Sequence, residues 1–291
     1  MSQKVIVTGS RGFIGRRLVP VLKKNSYRVA TFDLEQGNDV RDEVKVLCLS
    51  KATVVFHLAA LANVPYSFDH PHEVLDVNVR GVLNFLEYCR RAGAKLIFPS
   101  TAYVYGRPQK LPISENHPLD GPNAYVESKI VGERLCRFYA ENFGVKVVIL
   151  RFFNVYGPGQ VSGVIPDMIR SLLKNKTIEF RDGTPKRDFI FINDVMSALI
   201  RAADFVSDQN FNVFNIGFGQ SYSVAQLARM LKDIAGDGTL KLVDQHESRP
   251  GEIAEVVADI SHASKVLGWQ PATSLEAGLK KTYLAAQKTG Q

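Results

Sequence analysis

The chain is poor in cysteine: Cys48, Cys89 and Cys136 are the whole set in 291 residues, and no two form a C-x-x-C pair. All three lie in apolar, helical-looking segments, so they read as small buried hydrophobes in a reducing compartment rather than disulfide or metal ligands. No run of about 18 uninterrupted apolar residues occurs, so no membrane-spanning helix is expected. The opening MSQKVIVTGS enters a strand-like run without a secretory pattern, which makes the cytoplasm the expected location. Histidine is thin as well. Six are scattered, only DHPHE (Asp69 to Glu73) is dense, and no other ligand cluster supports it, so no metal is expected. Blocks of one charge are also missing. The net charge is +7, but Lys and Arg are spread along the whole chain without interleaved aromatics, so nucleic acid is not an expected partner. A mild positive balance suits an anionic small substrate equally well.

What is present is an ordinary core composition, 45% hydrophobic and 22% charged. Val- and Ile-rich runs at 4–9, 28–33, 53–60, 95–100 and 146–153 read as strands buried on both faces. Helix candidates lie between them at 13–25, 43–50, 72–92 and 124–143. That alternation predicts an α/β fold built on a parallel, doubly wound sheet. Later come a strand at 211–217, a helix opened by the capping box Ser223 to Gln226, and a last helix at a second box, Thr273 to Glu276. There is no repeat, low-complexity tract or clean linker. Residues 1–155 are therefore expected to form a nucleotide-binding unit, with contributions near 187–217, and 156–291 mainly an interwoven substrate unit.

VIVTGSRGFIGRRLV places Gly9, Gly12 and Gly15 between a strand and a helix. Gly9 allows the tight turn, Gly12 lets backbone approach a pyrophosphate, and Gly15 lets helix and strand pack closely. The following helix N-terminus offers free N–H groups to phosphate. Asp33 ends the second strand, where an acid accepts hydrogen bonds from an adenosine ribose. A carboxylate there repels a 2′-phosphate, which favours NAD over NADP; Arg11, inside the loop, is the dissenting residue.

NAYVESKIV places Tyr125 and Lys129 four apart on a helix, hence on one face. A nearby ammonium is expected to lower a tyrosine pKa and make the phenol a usable proton acceptor. FPSTAYVYG ends the fourth strand, and carboxyl ends of strands are where such sheets bind ligands. Ser100 or Thr101 there offers a hydroxyl to a substrate oxygen.

With these motifs the chain resembles the extended short-chain dehydrogenase/reductase family, nucleotide-sugar branch. The resemblance runs nearly end to end through TGSRGFIG, DVRD, HLAA, NVRGVLNFLE, STAYVYG, YVESK, RFFNVYGPGQ, RDFIFINDV, NIGFGQSYSV and RPGEIAEVVAD. It implies a Rossmann unit holding NAD through Gly9, Arg11, Gly12, Phe13, Ile14, Gly15 and Asp33. Asp39 and Val40 would line the adenine, and Leu58, Ala59 and Ala60 would cover the cofactor. Asn78 would support the active-site network, and Ser100 would be a further cofactor contact. Thr101 matches the hydroxyl residue beside substrate, Tyr125 the base, and Lys129 the nicotinamide-ribose ligand. Asn154, Arg187 and Arg249 are similar to substrate-diphosphate contacts, and Glu252 to an acidic nucleotide-side position. Guanidinium forks suit phosphate oxygens.

The branch shares oxidation of a sugar C4 hydroxyl. Its 4,6-dehydratases and decarboxylases carry an acid immediately after the strand-four hydroxyl residue; here Ala102 stands there, followed by Tyr103. The pattern resembles the 4-epimerases, which rotate the keto sugar and return hydride to its other face. The expected activity is a 4-epimerase on a UDP-hexose or UDP-N-acetylhexosamine, because Val256 stands where epimerases strict for smaller sugars can carry tyrosine. The segment from Asn154 to Val164 is shorter than in many relatives and leaves the base open. Rival readings are an NDP-4-keto-6-deoxyhexose reductase, a dehydratase and a non-catalytic NAD-binding protein. The resemblance also implies that helices near 76–91 and 124–143 pair two copies through a four-helix bundle, and apolar positions beyond one core-facing stripe are consistent with it.

Overall fold

The computed structural model describes residues 3–247 and 252–289. The first half alternates strand and helix: β1 (Lys4–Thr8), α1 (Gly15–Lys24), β2 (Arg28–Phe32), α2 (Glu43–Leu47), β3 (Val54–His57), α3 (Val64–Asp69), α4 (Pro71–Leu75), α5 (Gly81–Ala92), β4 (Lys95–Thr101), α6 (Ala124–Phe143) and β5 (Val147–Phe152). Then come β6 (Asn154–Tyr156), α7 (Val164–Asn175), β7 (Thr177–Phe180), β8 (Lys186–Phe191), α8 (Ile192–Asp204) and β9 (Phe211–Ile216). The chain closes with β10 (Ser221–Ser223), α9 (Val224–Ala235), β11 (Lys241–Asp244), β12 (Glu255–Val256) and α10 (Leu275–Thr289).

Six strands form one parallel sheet in the order β2-β1-β3-β4-β5-β9. The expected doubly wound α/β sheet is therefore present. Its strands read as continuous apolar runs because both faces are covered. Val5 and Val7 of β1 enter one core with Leu18, Leu22 and Leu199, whereas Ile6 between them enters another with Phe85, Leu86 and Cys136. Period-two alternation sends neighbouring side chains to opposite faces. The chain runs from β1 outward to β2 and then back to β3, so the strand order reverses between β1 and β3. The crevice above their carboxyl ends is where such sheets take ligands. Residues 186–191 do not join this sheet; β8 lies between β10 and β12 in a second one, with β6 alongside.

Four expectations change. The helix expected over 72–92 is interrupted by a π-turn at Asp76–Arg80, which turns Asn78 inward. The strand expected to reach residue 60 stops at His57, because the Ala59 N–H donates to Thr8 Oγ1 at 3.0 Å instead of to a ladder. The box at Ser223 and Gln226 forms as expected. At the last helix, Ser274 rather than Thr273 accepts from the first turn, at Ala277 N, while Thr273 N donates to Asp194. Cys89 and Cys136 are buried, but Cys48 is exposed, since it ends a short helix whose buried side is Val46. Among the described residues no helix is long and apolar enough to cross a membrane.

Candidate active site

The glycine loop is built as its spacing requires. Gly9 has φ +59, and a Cβ there would lie 2.7 Å from Ala59 N. A Cβ on Gly15 would lie 2.2 Å from the Gly9 carbonyl oxygen, so close packing fixes that glycine. A Cβ on Gly12 would meet only Gly9 O, at 3.3 Å, and otherwise face open space. Phe13 and Ile14 anchor the loop by packing against the core. The N-cap of α1 is Ile14, with no side-chain capping bond. Open backbone beside uncapped N–H groups is what a pyrophosphate needs.

Asp33 follows β2 and is 8% exposed. Its carboxylate accepts from Arg11 N at 2.8 Å and Glu35 N at 3.0 Å, one bond per oxygen, which leaves each oxygen further acceptor capacity. The Arg11 guanidinium turns outward to Glu35 at 3.9 Å, an exposed pair of small energetic weight. Asp39 is held by the Arg41 fork, and Arg41 also reaches Asp76 at 3.1 Å. That guanidinium keeps the Asp39 carboxyl below its ordinary range. Val40 is buried against Gly81, and its carbonyl accepts from Asn84 at 2.9 Å.

His57 ends β3 beneath Leu58, Ala59 and Ala60. Its Nδ1 lies 3.1 Å from Thr8 Oγ1, and its ring packs on Phe85 and Phe98. Burial, aided by the Lys129 charge, pushes the imidazole down to about 3, so it is neutral. Thr8 thus ties the loop over the crevice to a fixed histidine.

Asn78 joins that loop to helix α6, which carries Tyr125 and Lys129. Its Oδ1 accepts from Leu61 N at 2.8 Å, and its amide donates to Leu61 O and to Ser128 Oγ. Ser128 in turn donates to the Tyr125 carbonyl at 2.6 Å. Helix α6 begins where expected because the Asn123 side chain accepts from Val126 N, and it stops at Gly144 with φ +67. Within it, Lys129 Nζ donates to Pro99 O at 2.9 Å and sits over the Phe98 ring. Burial lowers this ammonium to about 8, partly offset by Glu133.

Thr101 and Tyr125 are within hydrogen-bond reach of each other. The expected direct effect of Lys129 on the phenol is absent. The ring of Tyr125 is partly exposed, yet burial of its surroundings pushes the hydroxyl up to about 12, with Thr101 pulling the other way. The reason is geometric: Lys129 spends its charge on the Pro99 carbonyl and the Phe98 face. Ser100, adjacent in β4, is 4% exposed, and its buried Oγ has no hydrogen-bond partner. An orphaned hydroxyl beside Thr101, the open face at Gly12 and the uncapped helix together fit a dinucleotide laid across this crevice.

Ala102 is buried and carries no acid. It shares a cluster with Tyr105, Phe153 and Val256, and Tyr125 packs against that cluster. Asn154 donates to Asp188 O at 3.1 Å and accepts from the Tyr103 hydroxyl at 3.2 Å. Arg187 binds the Glu252 carboxylate and the Ile253 carbonyl, so two expected substrate contacts hold each other. Arg249 lies outside the described residues. Sequence reasoning passed over Thr8, His57, Ser128 and Tyr103. Each stands within or next to a quoted motif, but only folding supplies its partner.

Residues 5–217 match the model of the NAD dependent epimerase/dehydratase family. A putative UDP-glucose 4-epimerase of Methanocaldococcus jannaschii is 35% identical, over 95% of this chain and 96% of that protein. The crystal structure of UDP-glucose 4-epimerase from Thermotoga maritima with UDP-glucose superposes with a TM-score of 0.90 at 31% identity, covering 99% of this chain and 100% of that one. MoeE5, solved in complex with UDP-glucuronic acid and NAD, gives 0.89 at 31%, covering 98% and 99%. An uncapped glycine turn, a Thr-Tyr-Lys set at the same sheet end and these likenesses agree: the chain is an NAD-dependent enzyme that belongs to the epimerase/dehydratase family.

Proposed function

We propose that the enzyme is a nucleotide-sugar 4-epimerase acting on a UDP-hexose or UDP-N-acetylhexosamine. The observation that carries this reading is the Thr101–Tyr125 hydroxyl pair with uncharged Ala102 and Tyr103 following it. Proton transfer to and from a C4 oxygen is provided for, whereas a carboxylic acid to drive elimination is not.

NAD⁺, when bound, supplies the hydride acceptor and donor for the sugar C4 carbon. The protein's own residues do the rest. Tyr125 takes the C4 hydroxyl proton and later returns it, while Thr101 holds the same oxygen. Gly9, Gly12 and Gly15 would take the pyrophosphate, Asp33 the adenosine ribose, and Asp39 and Val40 the adenine edge. Leu58 to Ala60 would cover the cofactor, and Lys129 and Ser100 would face its nicotinamide end. Asn154, Arg187 and Arg249 would bind the sugar's diphosphate, with Glu252 released from Arg187 as that anion arrives. Val256 leaves room for an N-acetyl group. Two copies would pair through α5 and α6, where Leu83, Phe138 and Phe143 are exposed.

The test is incubation of purified protein, without added cofactor, with UDP- and dTDP-sugars, following C4 stereochemistry by proton NMR. Interconversion of UDP-glucose with UDP-galactose, or of their N-acetylamino counterparts, is expected. Stoichiometric consumption of added NADH by a keto sugar, with no interconversion, would replace the proposal with a reductase.

A further inference from the structure

Tyr103 belongs to none of the roles above, yet its position is unusual. It is the second residue of the short turn Ala102–Tyr105 that follows Thr101, with its backbone N–H donating to Thr101 Oγ1 at 3.3 Å. Ala102, Val104 and Tyr105 around it are buried, while Tyr103 is 42% exposed. The turn therefore faces three side chains into the protein and one outward, at the carboxyl end of the sheet. The exposed phenol is not idle: it donates to Asn154 Oδ1 at 3.2 Å, and Asn154 is itself anchored by its amide on Asp188 O. It also lies close enough to the Tyr125 hydroxyl to oppose that group's ionisation. One aromatic ring thus bridges the proton-transfer pair on β4 and α6 and the polar residue that opens β6.

We propose that Tyr103 is a specificity-determining contact for the pyranose ring: its ring face packs on the sugar and its hydroxyl exchanges Asn154 for a sugar hydroxyl. This rests on the nucleotide-sugar reading above and deepens it. A half-exposed phenol is suited to the task, having a flat apolar face for C–H groups and a polar tip for a hydroxyl. Asn154, freed on one side, keeps its Asp188 anchor. Nothing covalent changes. Tyr103 recognises the sugar and not the nucleotide, which sets its signature apart from that of Arg187.

The experiment titrates UDP and, separately, UDP-glucose into NAD-loaded protein and into its Tyr103→Ala and Tyr103→Phe variants by calorimetry, with turnover measured in parallel. The ratio of the Kd for UDP-glucose to that for UDP should rise about tenfold in Tyr103→Ala, the worth of one stacking and one hydrogen-bond contact. Tyr103→Phe should show a smaller rise, since it keeps the ring. Melting temperatures should stay close to the parent's, because the side chain is half exposed. An unchanged ratio, whether neither ligand weakens or both weaken equally, overturns the proposal. A parent that binds neither ligand overturns this proposal and the functional reading together. A shifted ratio without any turnover leaves the Tyr103 contact standing and removes the epimerase; turnover with a constant ratio does the reverse.

Discussion

Replacing His57 with glutamine should change how stability depends on pH. The imidazole is 1% exposed, pressed between Phe85 and Phe98, with Thr8 Oγ1 at 3.1 Å. Burial holds its pKa at about 3 against an ordinary 6.5. Between those values the unfolded chain binds a proton that the folded chain excludes, so stability rises with pH. The contribution is complete above pH 6.5 and is lost as the pH falls toward 3. The slope is about 1.4 kcal/mol per pH unit, which amounts to about 2 kcal/mol between neutrality and pH 5. Asp188, pushed up to about 6 by its own burial, contributes a slope of opposite sign below that pH. Subtracting the variant's curve from the parent's removes that term. Urea unfolding followed by circular dichroism, from about pH 7.5 to about pH 5, measures the difference. Glutamine should lower stability at neutral pH, yet lose about 2 kcal/mol less on acidification. Parallel curves for the two proteins would refute a neutral, proton-excluding His57.

Asn78→Ala strips partners from Leu61 and Ser128 together and should cost about 2–4 kcal/mol in urea unfolding, with a lower kcat because α6 loses its tether. Glu133→Gln strands the Arg151 guanidinium, whose partner carboxylate lies at 2.6 Å with both side chains buried; a loss of about 3–5 kcal/mol is expected. The double variant Glu133→Gln/Arg151→Met should recover much of it, and a double variant no more stable than the single one would sink that account. Gly15→Ala puts a methyl 2.2 Å from Gly9 O and should abolish retained NAD, measured by absorbance of the perchloric-acid supernatant. If α5 and α6 pair two copies, Phe138→Glu should halve the mass seen by sedimentation.

The sheet was legible because burial on both faces leaves a compositional trace: β1, β3 and β5 are rich in Val and Ile, and β4 carries the apolar run Leu96–Phe98. The limits of α6 were legible too, since Asn123 and Gly144 mark its ends locally. The glycine loop follows from spacing alone. Partnerships across the chain were not. Asn78 finds Ser128 fifty positions away, Tyr103 finds Asn154, and Arg187 finds Glu252 sixty-five positions on. Periodicity says which face a residue presents, but not what the fold sets opposite it. The π-turn at Asp76–Arg80 had no local signal either; the partners that Asn78 meets from it, Leu61 and Ser128, lie far along the chain.

The least local property is the acidity of Tyr125. A lysine four residues on suggested a phenol ready to give up its proton. In the folded chain that lysine serves Pro99 and Phe98, and burial raises the phenol to about 12. At neutral pH the protein alone therefore keeps Tyr125 protonated, the Thr101 hydroxyl favouring ionisation too weakly to offset burial. A base is useful only if it is poised near the working pH. A positive charge that enters with the ligands would supply the missing stabilisation. Linkage then requires a return effect: whatever lowers the tyrosine's pKa binds more tightly once that proton is gone. NAD⁺ affinity should therefore rise with pH in the parent and lose that rise in Tyr125→Phe. Equal pH dependence in both proteins would mean that the phenol is ionised by something already built into the chain.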